Sequence, residues 1–262
     1  MRIAAGVEYN GAAFNGWQIQ DQGRSVQECV ESALGRIADH PVRVACAGRT
    51  DAGVHALQQV VHFDTTAERE PHAWVLGGNV HLPPEVRILW AAAVDESFHA
   101  RFSATGRCYR YLILNRTAAP AVYHRLLTWE CRPLDVDRMR AAAGDLLGEH
   151  DFTSYRAVAC QARSPVRELR RLEIRRQGDL VFLEVSANAF LYHMVRNIAG
   201  VLMTIGMGKE ETGWARQVLE ARDRTAGGVT APADGLYLAG IDYPAGFDLP
   251  QRQIEHWLLC QV

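Results

Sequence analysis

The sequence predicts an α+β fold of two halves. Three observations carry this: strand-like runs that end at glycine, proline or asparagine, amphipathic segments with capping residues between them, and a strand and helix order that recurs after residue 105. Residues 2–9 read as a first strand closed by the Asn10-Gly11 turn signal. Ser25-Val26-Gln27-Glu28 is a capping box, and Val26, Cys29, Val30, Ala33, Leu34 and Ile37 then recur at helical spacing. A strand follows at 42–46, then a loop, a second strand from Leu57 to Phe63, a helix around Ala73 to Leu76, and a strand from Val86 to Ala93. Strand-helix-strand-strand-helix-strand is the order of a ferredoxin-like or RRM-like unit, whose sheet is mainly antiparallel with helices packed on it.

Residues 106–262 repeat the plan with larger insertions, which sets residues 1–105 apart as the first half. Arg107 to Leu114 reads as a strand, and Asp135 to Leu147 as an amphipathic helix capped by Asp135. Leu169 to Arg175 and Leu180 to Ser186 pair as a hairpin around Gln177-Gly178-Asp179. A long helix is expected from Phe190 to Thr204, another from Thr212 to Ala221, and a last strand from Gly235 to Ile241. The cleft between the halves is the expected place for an active site.

Composition narrows the function. The 262 residues are 48% hydrophobic and 22% charged, with no apolar run approaching the ~20 residues that span a bilayer. The start Met1 to Tyr9 lacks a signal-peptide core, so a cytoplasmic protein is expected, without a membrane role. The six cysteines are scattered and include no Cys-x-x-Cys pair, which indicates neither a disulfide scaffold nor a zinc site. The net charge of -2 argues against polyanion binding through the overall field. Yet Lys209 is the only lysine, and arginines gather at 101, 107 and 110 and at 163, 167, 170, 171, 175 and 176, so a local basic surface is expected. Gly206-Met207-Gly208-Lys209 lacks the spacing of a phosphate loop, and no serine-hydrolase elbow, zincin helix or dinucleotide fingerprint is present. The chemistry must come from side chains alone.

Four segments are candidates. Ala47-Gly48-Arg49-Thr50-Asp51-Ala52-Gly53-Val54-His55 sets a carboxylate two residues from a cation between glycines, which is either a plain turn or a carboxylate held for chemistry. Phe98-His99-Ala100-Arg101-Phe102-Ser103-Ala104 runs into Tyr109-Arg110-Tyr111. Strand alternation puts Cys108, Arg110 and Leu112 on one face and Arg107, Tyr109 and Tyr111 on the other, as strand packing or as a stacking site for a splayed base. On the predicted helix, Phe190, Met194 and Ile198 form a stripe with His193, Arg196 and Asn197 at its edge; Arg196 would suit a carboxylate such as Asp51, or a structural ion pair. Gly235-Leu236-Tyr237-Leu238 reads as a core strand or as a wall of the site.

Taken together these segments resemble the tRNA pseudouridine synthase A family, whose signature is similar to residues 47–55. Gly16-Trp17-Gln18, Ser25-Val26-Gln27, Asp151-Phe152-Thr153-Ser154 and the segments above resemble the family in the same order over nearly the whole chain. The resemblance implies isomerisation of uridine to pseudouridine at positions 38, 39 and 40 of tRNA, in the anticodon arm, with no metal or organic cofactor. It assigns Asp51 as the catalytic aspartate, Arg49 and Arg196 as its supports, and Tyr109 as the ring that stacks on the flipped base. Arg101, Arg107, Arg110 and His193 are further candidate RNA contacts, and a cytoplasmic homodimer whose RNA surface uses both subunits is implied. The departures are Asn10, where an aspartate is expected in a turn, and the near absence of lysine. Two other activities fit the same motif: a tRNA-binding chaperone without catalysis, and a glycosidase-like hydrolase that releases the base.

Overall fold

The computed structural model describes residues 1–250, which divide into two compact units. The first holds Met1–Thr105 together with the described residues from Leu238 onward; the second is Gly106–Tyr237. The chain after Leu238 is therefore grouped with the first unit, whereas sequence order alone assigns it to the second half.

In the first unit, β1 (Arg2–Tyr9) pairs antiparallel with both β3 (His55–Asp64) and β4 (Val86–Val94). The sheet order is β4-β1-β3-β10, where β10 is Leu236–Asp242, and β2 (Ala45–Cys46) adds to β3. The strand predicted over 42–46 is thus reduced to two paired residues. Helix α1 (Val26–Ala38) starts where the capping box puts it, with Ser25 accepting from the Glu28 N–H at 3.2 Å. It packs on α2 (Pro71–His81), whose Trp74 is fully buried against Phe63. α2 is longer than the apolar residues alone suggest, because Pro71 at its first turn preorganises the helix. On another face of the sheet Ala4, Ala47, Val60, Phe98 and Ala100 form a cluster completed by Ile241, Tyr243 and Phe247. The Tyr243 hydroxyl donates to Ala100 O at 2.6 Å, which explains why the chain beyond Leu238 returns to this unit.

In the second unit the order is β5 (Gly106–Asn115), β9 (Leu180–Ala187), β8 (Val166–Gln177) and β7 (Gly148–Asp151), all antiparallel neighbours. β6 (Thr128–Glu130) runs parallel to β5. The β8–β9 hairpin turns at Gly178, whose φ of 56° lies in the left-handed region that glycine enters without strain. α3 (Val136–Ala143) is capped by Asp135 as predicted, but ends before a single 3₁₀ turn at Gly144–Leu146. α4 (Met194–Gly206) and α5 (Trp214–Ala221) follow. α4 begins four residues later than predicted. Phe190 to Tyr192 are not helical, and His193 takes φ 62°, a left-handed conformation that L side chains adopt only when their surroundings hold them there.

Of the arginines of 163–176, those from Arg170 onward are held by neighbours and do not make an open basic surface. Arg170 pairs with Glu168 at 2.9 Å, Arg171 with Glu173 and Glu184, and Arg175 with Glu184, while Arg176 is turned onto Asn115 and Leu134 O. Glutamates interleaved in β8 and β9 neutralise what the run of arginines suggests in isolation. Among the described residues, no helix is long and apolar enough to cross a membrane.

Candidate active site

The Asp51 loop leaves β2, crosses Ala47 to Val54 and enters β3 at His55. Backbone bonds hold it on several sides: Trp17 N–H to Thr50 O at 3.0 Å, Gly53 N–H to Phe14 O at 3.3 Å, Val54 N–H to Asp51 O at 3.1 Å and Ala47 N–H to Val60 O at 2.8 Å. The wholly buried Gln59 side chain bonds both polar groups of the Gly48 residue, acting as a strand partner would. Tyr9 and Thr50 share a hydroxyl bond of 2.7 Å beneath the loop, and His55 Nδ1 accepts from Gly11 N–H at 3.0 Å. Two glycines make the close approach feasible. A Cβ on Gly11 would lie 2.0 Å from Val54 O, and one on Gly16 would lie 2.7 Å from Thr50 O and 3.0 Å from the Asp51 carbonyl carbon. Asp51 itself is half-buried and Arg49 is exposed. A carboxylate so placed reaches solvent from a backbone that cannot drift, which suits attack on carbon or proton abstraction.

Burial pushes the Cys46 thiol up to about 11, with the nearby Arg49 and Arg101 guanidinium groups pulling it back down. Arg49 and Arg101 are thus neighbours of one thiol at the base of the loop, so the structure brings these two candidates together within the first unit.

In the second unit Tyr109 lies on β5, buried, with its ring edge-on to Phe190 at 5.0 Å. The predicted alternation holds: Tyr111 is fully buried on Tyr109's side of the strand, and Arg110 on the other side meets Glu184 at 3.2 Å. The Tyr111 hydroxyl bonds Thr128 Oγ1 at 2.6 Å and Pro232 O at 2.8 Å, and burial raises its phenol far above the usual range. Tyr111→Phe strands the Pro232 carbonyl and is expected to cost ~1–3 kcal/mol, read as a lower urea midpoint at unchanged m-value. Arg107 donates to Asn188 O at 3.1 Å. Arg196, in the first turn of α4, donates through Nε to Ala231 O at 2.8 Å while its own carbonyl accepts from Ala231 N–H. Asn197 beside it ties down the same loop through Thr230 at 2.7 Å and Arg224 at 3.1 Å. His193 stacks on Tyr192, with ring centroids 4.0 Å apart.

The support that Tyr9, Gly11, Gly16, Thr50 and Gln59 give the loop is not foreseen from the sequence, and Phe190, expected on the apolar stripe of a helix, meets Tyr109 instead. The Gly16-Trp17-Gln18 motif was the available signal for part of this: Gly16 has φ 99° and Trp17 N–H is the donor to Thr50 O.

A carboxylate on a loop fixed by its backbone, on an α+β scaffold with mostly antiparallel strands, is the equipment of an enzyme that works with side chains. The family model described as tRNA pseudouridine synthase matches residues 5–103 and 142–244. The tRNA pseudouridine synthase A of Nitrosococcus oceani is 59% identical, covering 98% of this chain and 100% of that one. Those of Alcanivorax borkumensis and Methylococcus capsulatus are 57% and 56% identical, covering 97% and 98% of this chain and 95% of each of theirs. Among solved structures, a chain of a Cbf5-Nop10-Gar1 complex aligns at TM-score 0.33 and 11% identity over 76% of this chain and 54% of that one, which is too weak to carry an argument. The chain belongs to the tRNA pseudouridine synthase family, and is an enzyme of the isomerase class.

Proposed function

We propose that this enzyme converts uridine to pseudouridine at positions 38, 39 and 40 in the anticodon stem-loop of tRNA, with Asp51 as the catalytic carboxylate. The observation that carries the reading is the Asp51 loop: its backbone is held from Phe14, Trp17 and Val54 while the carboxylate stays partly open to solvent. The full-length likeness to relatives named tRNA pseudouridine synthase A supports tRNA as the substrate.

The reaction breaks the bond from uracil N1 to ribose C1′, turns the base, joins C5 to C1′ and releases the C5 proton. An ionised Asp51 serves it either by attack on C1′ or by removal of a ribose proton to give a glycal. Arg49 lies in the same loop and favours the ionised carboxylate, and Arg196 is assigned the same supporting role. Tyr109 stacks on the flipped base, with Phe190 holding its ring edge-on. Recognition of three adjacent positions rests on the shape and pliancy of the arm more than on base sequence. The element order supports a ferredoxin-like reading: β1-α1-β2-β3-α2-β4 in the first unit has the expected order, and β5, α3, β8, β9 and α4 follow its first five elements in the second, with β6 and β7 inserted. A cytoplasmic homodimer completes the proposal, because two copies can gather arginines in one groove at a slightly negative net charge.

The test is incubation with an unmodified tRNA transcript carrying uridines at 38–40, followed by carbodiimide mapping of pseudouridine and chromatography for free uracil. Pseudouridine at those positions is the expected product. Free uracil would replace the isomerase with a hydrolase, and tight binding with no product would leave a tRNA chaperone.

A further inference from the structure

Phe102 is 76% exposed, an unusual state for a phenylalanine, yet its loop is clamped. His99 Nδ1 accepts from the N–H groups of Arg101 and Phe102 at 3.1 and 3.2 Å. His99 N–H donates to Ser103 Oγ at 2.9 Å, and Ser103 N–H donates to His99 O at 2.9 Å. One layer below, His62 Nδ1 accepts from Ala100 N–H at 3.1 Å.

The rings are in contact too, His62 edge-on to His99 at 62°. His62 and His99 lie 4.6 Å apart, and His99 and Phe102 lie 4.4 Å apart at 33°. The Arg101 guanidinium stands 5.6 Å from the Phe102 centroid. Both imidazoles spend Nδ1 as an acceptor, so the ring cluster is held by neutral imidazoles. Burial lowers His62 to about 4, and burial with Arg2 lowers His99.

Protonation of His62 opposes its bond to Ala100 N–H, which makes the loop pH-sensitive. Taking ~6.5 for the unfolded histidine, the unfolded chain binds the extra proton between pH ~6.5 and ~4. Stability from this group is full above that window and lost as pH falls through it. The charged and titratable groups facing His62 are His99, Arg2 and Asp64, of which only Asp64 opposes the downward shift. His62→Asn, which keeps an acceptor without a titration, is expected to flatten the dependence of the urea midpoint on pH across that window.

An exposed ring on a rigid, neutral support, with an arginine at its side, is what a nucleobase and its phosphate require. We propose that Phe102 and Arg101 form a stacking platform for one unpaired nucleotide of the tRNA substrate, Phe102 taking the base and Arg101 the adjoining phosphate. The platform belongs to the same unit as the Asp51 loop. This rests on tRNA being the substrate, and adds a binding residue that does not take part in the bond changes. The clamp explains how the ring can be both exposed and useful, since little side-chain and loop freedom is left to lose on binding.

The test compares the native protein with Phe102→Ala, Phe102→Trp and Asp51→Asn on the unmodified tRNA transcript. Phe102→Ala is expected to weaken binding and raise KM about tenfold with kcat at saturation little changed. Phe102→Trp is expected to restore affinity and to add, above the emission of the six native tryptophans, a component that tRNA quenches. Asp51→Asn separates the two readings: it is expected to bind tRNA with native affinity while forming no product, and binding that depends on Phe102 would stand even if the chemistry proved different. Unchanged affinity in Phe102→Ala, together with no more tRNA quenching in Phe102→Trp than in the native protein, overturns the platform. So does a shift of Phe102→Ala to a smaller species in sedimentation at unchanged tRNA affinity, which would make this surface a contact between two copies of the chain.

Discussion

Asp51→Asn is expected to lower pseudouridine formation by on the order of 10⁴-fold, the upper range for loss of a positioned acid-base or nucleophilic group. Asparagine has nearly the same shape and no negative charge, so the substitution removes the chemistry while sparing the geometry. The backbone bonds that help hold the loop, at residues 47, 50, 51, 53 and 54, survive it, as do those of Gln59 to Gly48 and of Tyr9 to Thr50. The unfolding midpoint should therefore stay within about 2 °C of native. Affinity for tRNA should not fall, because deleting a negative charge beside Arg49 cannot repel a polyanion. Single-turnover assays with excess enzyme read the rate separately from binding. A residual rate within tenfold of native would move the catalytic role to another residue, and loss of the folded state would show that the carboxylate supports the loop instead.

The sequence made the order of the elements legible because capping and periodicity are local. Ser25 and Asp135 cap the helices they announce, and β1, β3, β4, β5 and the β8–β9 hairpin lie where alternation and turn residues put them. What failed depended on distant partners. The apolar run from Phe190 has helical spacing, but its first residues are used elsewhere: Phe190 packs on Tyr109 and Tyr192 O accepts from Ala157 N–H, so α4 cannot start before His193. The arginines of β8 read as a basic patch in isolation, but Glu184, on the neighbouring strand, meets two of them and Arg110 of β5 as well. At the candidate site Asp51 and Arg49 were visible as a motif. The groups that hold their loop were not, because Gln59 and Tyr9 act across strands and the space against Gly11 and Gly16 exists only in the folded chain.

Gly16→Ala follows from that hidden support and should be strongly damaging. Two penalties add at this position. A φ of 99° costs an L residue about 1–2 kcal/mol. The new Cβ would also sit 2.7 Å from Thr50 O, 3.0 Å from the Asp51 carbonyl carbon and 3.1 Å from Ala52 N, all backbone atoms that cannot rotate away. The 3.0 Å bond from Trp17 N–H to Thr50 O lies next to that contact and must lengthen if the loop retreats. A total loss of roughly 3 kcal/mol is expected, with kcat down about 100-fold, because displacement of a reacting group by ~1 Å has that effect. Gly208→Ala supplies the control: its φ of 70° carries the same kind of strain, and nothing lies within 4 Å of the added methyl. That variant should lose ~1 kcal/mol and keep its turnover. If both variants turned over alike, the crowding at Asp51 would have no bearing on catalysis, and the loop would be soft enough to absorb a methyl group. If only Gly16→Ala fails, the position of the carboxylate is set by the glycine beneath it as much as by its own residue.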